Sequence, residues 1–210
     1  MRMTALLIAV LLAACASKPA PPSWQPNAKD ALDGFTDDYL RGNTGAANVQ
    51  FARARRETSS TGRADLVAQV ELVRCAVLAA SLELDGCPGF AALASDATAQ
   101  QRAYAAYLAG RWEGLDVAAL PEQHRPVVST GSIASVADPL AKLVAAGALF
   151  KAGRMSPADI QAATETASSQ GWRRPLLMWL GVSQKRAEAV GDAAGVEQIR
   201  RRIALASGQK

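Results

Sequence analysis

Residues 63–84 read RADLVAQVELVRCAVLAASLEL. Leu66, Val70, Val73, Val77, Ala80 and Leu84 recur at the spacing that lines one face of an α-helix. Val67, Leu72 and Leu78 load the remaining faces with apolar side chains as well. A helix with apolar side chains on more than one face belongs near the centre of a helical domain, buried on several sides.

The same period governs the chain from Ala28 onward, and strand-like alternation is nearly absent. The pattern predicts nine or ten helices. Residues 193–206 form the cleanest amphipath, with Val196, Ile199, Ile203 and Ala206 on one stripe and Glu197, Arg200, Arg201 and Arg202 toward water. Arg41-Gly42-Asn43, Ala109-Gly110-Arg111, Ala152-Gly153-Arg154 and Val190-Gly191-Asp192 each read as a helix end capped by glycine, with a new helix soon after. Ser156-Pro157 is such a start, with proline at the first helical position. The expected fold is all-α: stacked antiparallel helical hairpins, as an α-solenoid or a repeat-like bundle. Leu180-Gly181, Gly191-Asp192-Ala193-Ala194 and Ile199-Arg200-Arg201-Arg202-Ile203 resemble a degenerate tetratricopeptide unit. The Tyr, Phe and Pro positions of that repeat are unfilled here, so the resemblance supports an antiparallel helix pair and no more.

Composition agrees with a globular body. The chain has 210 residues, 50% hydrophobic and 20% charged, with a formal net charge of +4. Aromatics are only 5%, so the core is built mainly from Ala, Leu and Val. This mild basicity is far from a nucleic-acid-binding extreme.

The N-terminus is an address. Arg2 precedes an unbroken apolar run from Ala5 to Leu12, followed by the small residues Ala13 and Ala14. As a helix the run spans about 12 Å, well short of a bilayer, so it is a signal segment rather than a transmembrane helix. Its end, Leu12-Ala13-Ala14-Cys15, resembles the lipobox of bacterial lipoprotein precursors. The resemblance implies removal of residues 1–14 and acylation of Cys15 on its sulfur and its new amino group. Several acyl chains, each methylene contributing about 0.8 kcal/mol, hold a protein stably at a membrane. Ala16 rather than Asp after the cysteine implies the outer membrane, facing the periplasm. The alternative is an ordinary signal peptide with a coincidental cysteine. Residues 15–27 carry four prolines and read as an extended tether, with Trp24 packed on the domain or docking a partner. The helical domain then fills 28–210.

With Cys15 acylated, Cys75 and Cys87 remain. In an oxidising compartment the pair suggests one disulfide, worth about 3 kcal/mol by its loop length. The expected geometry is a helix running to Leu84, a turn at Asp85-Gly86, and Cys87 folding back. Buried free thiols, or a redox or metal role, are the alternatives. Residues 121–135 hold no clear helix and read as a connection or a working loop between possible halves 28–120 and 136–210.

A search for catalytic chemistry finds little. His124 is the only histidine, so no His-Glu-x-x-His metal site exists, and it reads as a surface loop residue. No Gly-x-Ser-x-Gly elbow, phosphate loop or dinucleotide fingerprint occurs. Asp33, Asp37, Asp38, Glu83 and Asp85 are the notable acids; adjacent Asp37 and Asp38 point about 100° apart on a helix, and context singles out none of the five. Nothing calls for a cofactor or a small-molecule substrate. Arginines group at Arg53, Arg55 and Arg56, at Arg173 and Arg174 after Trp172, and at Arg200, Arg201 and Arg202. They read as solvated helix faces or as contacts to an anionic envelope component. The expected function is a non-catalytic scaffold or accessory factor that binds a protein partner in the envelope. A cell-wall hydrolase or its activator, and a binder of anionic lipid or envelope polymer, are the rivals. The expected partner groove lies between the helices of 136–152 and 172–190, beside the 121–135 segment.

Overall fold

The computed structural model describes residues 21–208. Its helices are α1 (Trp24–Arg41), α2 (Thr44–Ser59), α3 (Ala64–Ala80), α4 (Pro88–Ala91), α5 (Ala99–Leu108), α6 (Arg125–Thr130), α7 (Pro139–Lys151), α8 (Pro157–Ser169), α9 (Arg173–Ala189) and α10 (Ala193–Ser207). Short 3-10 turns at Val117–Ala119 and Glu122–His124 lie between α5 and α6. No strand occurs among the described residues, so the fold is all-α.

Two helices occupy the middle. α3 is the helix of the opening stretch, buried on several sides, and α7, with the sequence PLAKLVAAGALFK, is buried along most of its length. Their small side chains let the backbones approach closely: a Cβ built on Gly147 would lie 2.7 Å from the Ala79 carbonyl carbon. Around this pair, the α1–α2 hairpin leans on α3, α5 covers both α3 and α7, and α8, α9 and α10 stack outward from α7 in order. One hydrophobic core runs from Phe35 on α1 to Trp179 on α9, through both stretches 28–120 and 136–210.

The stack also closes on itself. α1 meets α9, where the Arg174 guanidinium lies 4.2 Å over the Tyr39 ring. Arg174 donates to the Tyr39 carbonyl at 2.8 Å and to Thr44 Oγ1 at 2.6 Å. An open solenoid touches only sequence neighbours, so this contact makes the fold a closed bundle of hairpins.

The glycine ends behave alike. At Gly42, Gly110, Gly153 and Gly191 the glycine is left-handed; its N–H bonds the carbonyl three residues back, and the next N–H bonds the carbonyl five back. α3 ends by the same device without a glycine. Leu82 takes φ 58°, Leu82 N–H bonds Ala79 O at 2.9 Å and Glu83 N–H bonds Leu78 O at 3.0 Å. This corrects the expected helix end at Leu84: α3 stops at Ala80. A non-glycine residue in this conformation costs about 1–2 kcal/mol, which is why the sequence pointed to Gly86 as the turn. The early stop lets Cys87 return to Cys75, to which it is joined as a disulfide with Cα atoms 5.6 Å apart.

Two further expectations change. The tether read over 15–27 is helical from Trp24, because Pro26 falls in the first turn, where no intrahelical N–H is required. The 121–135 segment is folded: it holds the 122–124 turn and α6, which has Pro126 in its first turn and is capped by left-handed Gly131. Ile133 beyond it is buried, and its N–H and the Ser132 hydroxyl both donate to Asp159. Burial pushes the Asp159 carboxyl upward, but hydrogen bonds from Ser156, Ile133 and Ser132 outweigh it and hold the group below its ordinary value.

Candidate functional site

α3 and α7 touch at Ala79 and Gly147, and toward their N-terminal ends a groove of about 670 Å³ opens between them, α5 and the 118–125 segment. Leu72, Val73, Ala76 and Val77 of α3 and Leu140, Ala141 and Val144 of α7 line it with apolar surface. Gln69, Gln100, Gln101 and Gln123 also line it. The volume falls in the range of specific ligand sites.

His124 reaches this groove from the 3-10 turn and is 2% exposed, which corrects its reading as a surface loop residue. Its ring centroid lies 5.1 Å from Tyr107 and 5.6 Å from Tyr104, and its Nδ1 is 3.4 Å from the Tyr107 hydroxyl. Behind Tyr107 the stack continues: Trp112 lies parallel at 5.5 Å, donates its indole N–H to the Tyr107 carbonyl, and carries the Arg154 guanidinium on its face. Burial pulls the His124 pKa down to about 4, against a weaker upward pull from Asp138. Burial pushes the phenols of Tyr104 and Tyr107 well up. At neutral pH the whole aromatic cluster is therefore uncharged.

Two exposed charged residues, Arg125 and Asp138, also line the groove. Arg125 Nε donates to the Leu120 carbonyl at 2.9 Å, and Asp138 caps α7 by accepting from Ala141 N–H at 2.7 Å. Gln101 is also committed. It accepts from Thr98 N–H in a capping box and donates to Asp65 O and Gln69 Oε1. The Gln69 Nε2 group and the amides of Gln100 and Gln123 have no hydrogen-bond partner among the described residues.

The residues singled out from the sequence do not gather there. Trp172 precedes α9 and packs half-buried against the core. Arg173 is exposed near Gly42. Arg174, expected as an anion contact, is spent on Tyr39, Thr44 and a 3.2 Å ion pair with Glu83. Arg200 and Arg201 are exposed on α10, near Glu188 at 3.9 Å and Glu197 at 3.5 Å, whereas Arg202 is half-buried at a smaller groove of about 420 Å³ between α8, α9 and α10. Glu188 sits fourteen positions along α9 from Arg174, about 21 Å, so the two arginine groups cannot serve one site. The expected groove between the 136–152 and 172–190 helices is filled. Trp179 is wholly buried there, donates its indole N–H to the Ala80 carbonyl at 3.1 Å and meets Phe150 edge-on.

Among the acids, Asp33 pairs with Lys29 and Asp37 with Arg41 on exposed helix turns, while Asp85 accepts from Cys87 N–H. Among the described residues no group of His, Cys, Asp and Glu gathers as a metal site, and no helix is long and apolar enough to cross a membrane. Cys15 and the lipobox lie outside the described residues. Comparison with protein-family models, with curated proteins and with solved structures returns no match.

Proposed function

We propose that this chain is a lipoprotein of the bacterial cell envelope, anchored through acylated Cys15 at the outer membrane and facing the periplasm. Its helical body acts as a non-catalytic scaffold or accessory factor that binds a protein partner. The observation that supports this reading is the open, largely apolar groove between α3, α5, the 118–125 segment and α7. Its one histidine is a weak base, held neutral by burial. The test places a photo-crosslinking residue at Gln100 or Gln123 in cells, with Val49 on α2 as the control site. Crosslinks to one discrete envelope protein from the groove positions alone support the reading. Equal labelling from all three positions refutes it. Separately, fatty-acid labelling of the chain must vanish with Cys15→Ser.

One observation favours a second reading, contact with anionic lipid. Residues 172–208 carry seven Lys and Arg against three Asp and Glu, whereas residues 21–171 carry thirteen against sixteen. The basic excess is thus confined to α9 and α10. Salt-sensitive sedimentation with phosphatidylglycerol vesicles, lost on replacing Arg200, Arg201 and Arg202 by Gln, supports it; indifference to those changes rejects it.

A further inference from the structure

We infer that the Cys75–Cys87 disulfide is a redox latch: thiol exchange at this bond releases residues 84–89 from the bundle and opens the buried Glu71 carboxylate to water. The inference does not rest on the scaffold reading.

Three observations converge. First, little besides the crosslink ties the segment down. Among the described residues, no hydrogen bond from 84–89 reaches beyond the segment and the short α4 that follows it. Cys87 N–H donates to Asp85, and the Cys87 and Pro88 carbonyls accept from Ala91 and Ala92. Leu84 is partly buried, and Phe90 is the next buried anchor.

Second, the latched conformation holds two features that relax when it opens. Cys87 is left-handed at φ 58°, a region that disfavours a side chain. The backbone at Gly89 lies on the Glu71 carboxylate of α3: a Cβ built there would be 2.5 Å from its carboxyl carbon. Glu71 is 5% exposed. Its Oε1 accepts from Arg55 Nε at 2.9 Å, whereas Oε2, on the Gly89 side, has no hydrogen-bond partner among the described residues. A half-paired buried carboxylate gains hydration when its cover lifts. Glu71 and Cys75 are one turn apart on α3, so the cover and the crosslink share a face.

Third, the bond is within reach. Both cysteines line a cavity of about 440 Å³ bounded by the end of α3, α4 and α5. Cys75 is buried and Cys87 half-buried, so Cys87 Sγ is the sulfur that an incoming thiolate meets.

The co-reactant is a dithiol of the class carried by thiol–disulfide oxidoreductases. One of its thiols gives its proton to water and attacks Cys87 Sγ. The Cys75–Cys87 bond breaks, and Cys75 leaves as a thiolate that takes up a proton. The second thiol, also deprotonated, attacks the mixed disulfide and expels Cys87, which is protonated in turn. Two cysteine thiols are formed, and the dithiol is oxidised to a disulfide.

The probe is dithiothreitol, added to the full oxidised chain in detergent micelles at urea concentrations below the unfolding transition. Free thiols are counted by maleimide labelling and mass spectrometry. The reduction rate should not depend on urea, because the latch yields without unfolding of the bundle. In the reduced chain, hydrogen exchange at the Ala91 and Ala92 amides should speed up at least tenfold, again without urea dependence. Cys87→Ser should reproduce that change. Glu71→Gln keeps the shape and removes the charge, so it should lower local opening of the reduced chain about three- to tenfold. A reduction rate that climbs with urea in step with global unfolding overturns the inference. So do Ala91 and Ala92 amides that exchange alike in both redox states, or a reduced Glu71→Gln chain that opens as readily as the parent.

Discussion

Replacing Gly147 by alanine tests the packing of the two central helices. In an ordinary helix interior this change stabilises by about 1 kcal/mol, because glycine is the more flexible residue in the unfolded chain. Here the added methyl meets backbone. It lies 2.7 Å from the Ala79 carbonyl carbon and closer still to the oxygen, where ordinary contacts fall at 3.4–4 Å. No rotamer relieves that, so α3 and α7 must part by about 1 Å. The Ala79 oxygen also accepts the Leu82 N–H that ends α3, so the strain reaches the turn leading to the disulfide. Overpacking of this kind costs about 1–3 kcal/mol, and with a backbone group as the obstacle the upper part of that range applies. After subtracting the helical gain, Gly147→Ala destabilises by about 2 kcal/mol. In urea unfolding followed by far-ultraviolet circular dichroism, the midpoint should fall by about 1 M. Gly181→Ala is the internal control: it lies inside α9 with nothing within 4 Å of the new methyl, and stability should rise by about 0.5–1 kcal/mol. If Gly147→Ala matches Gly181→Ala in sign, the close approach of α3 and α7 is refuted.

Other perturbations have equally definite outcomes. His124 protonates near 4 in the fold and near 6.5 unfolded, so between those values the unfolded chain holds more protons; stability is full above pH 6.5 and falls by up to about 3 kcal/mol as pH drops to 4. His124→Phe should flatten that part of a pH series of urea midpoints, and an unchanged slope refutes the assignment. Arg174→Lys keeps the charge but loses the planar fork that spans Tyr39 and Thr44, so it should cost about 1–2 kcal/mol in the same assay. Trp179→Ala opens a cavity in the core and should cost about 3–5 kcal/mol, whereas Met178→Ala next to it, half-exposed, stays within about 1 kcal/mol. Cys87→Ser removes the link to Cys75 and should cost about 3 kcal/mol, checked by a matching loss when the wild-type chain is reduced.

The parts of the fold that were legible rest on local rules. The stripes of 63–84 and 193–206 and the glycine ends at Gly42, Gly110, Gly153 and Gly191 are set by neighbours within a few residues, and the helices form where they point. The end of α3 was not legible, because a leucine took the left-handed position that local preference gives to glycine. Trp24 was assigned to the tether on its prolines, although one proline in a first helical turn is harmless. That the space between the 136–152 and 172–190 helices is filled was illegible for a related reason. Trp172 and Trp179 lie seven residues apart, and nothing in the sequence says that the second fills the space beside α7. His124, next to a proline and an arginine, looks solvated in sequence, and only α5 brings Tyr104 and Tyr107 over it. Four glutamines from three segments carry no periodicity at all. Their meaning appears only once the chain has folded.

The contact between Arg174 and the first helix has a mechanical consequence. Under the proposed acylation of Cys15, a tug between membrane and partner would enter the chain through α1. In a linear stack such a load would unzip one hairpin after another from that end. Here the guanidinium hooks α1 to the start of α9, and the force is shared with the far side of the bundle before anything gives. α10, packed on α9 and outside that hook, is the piece left free to peel away.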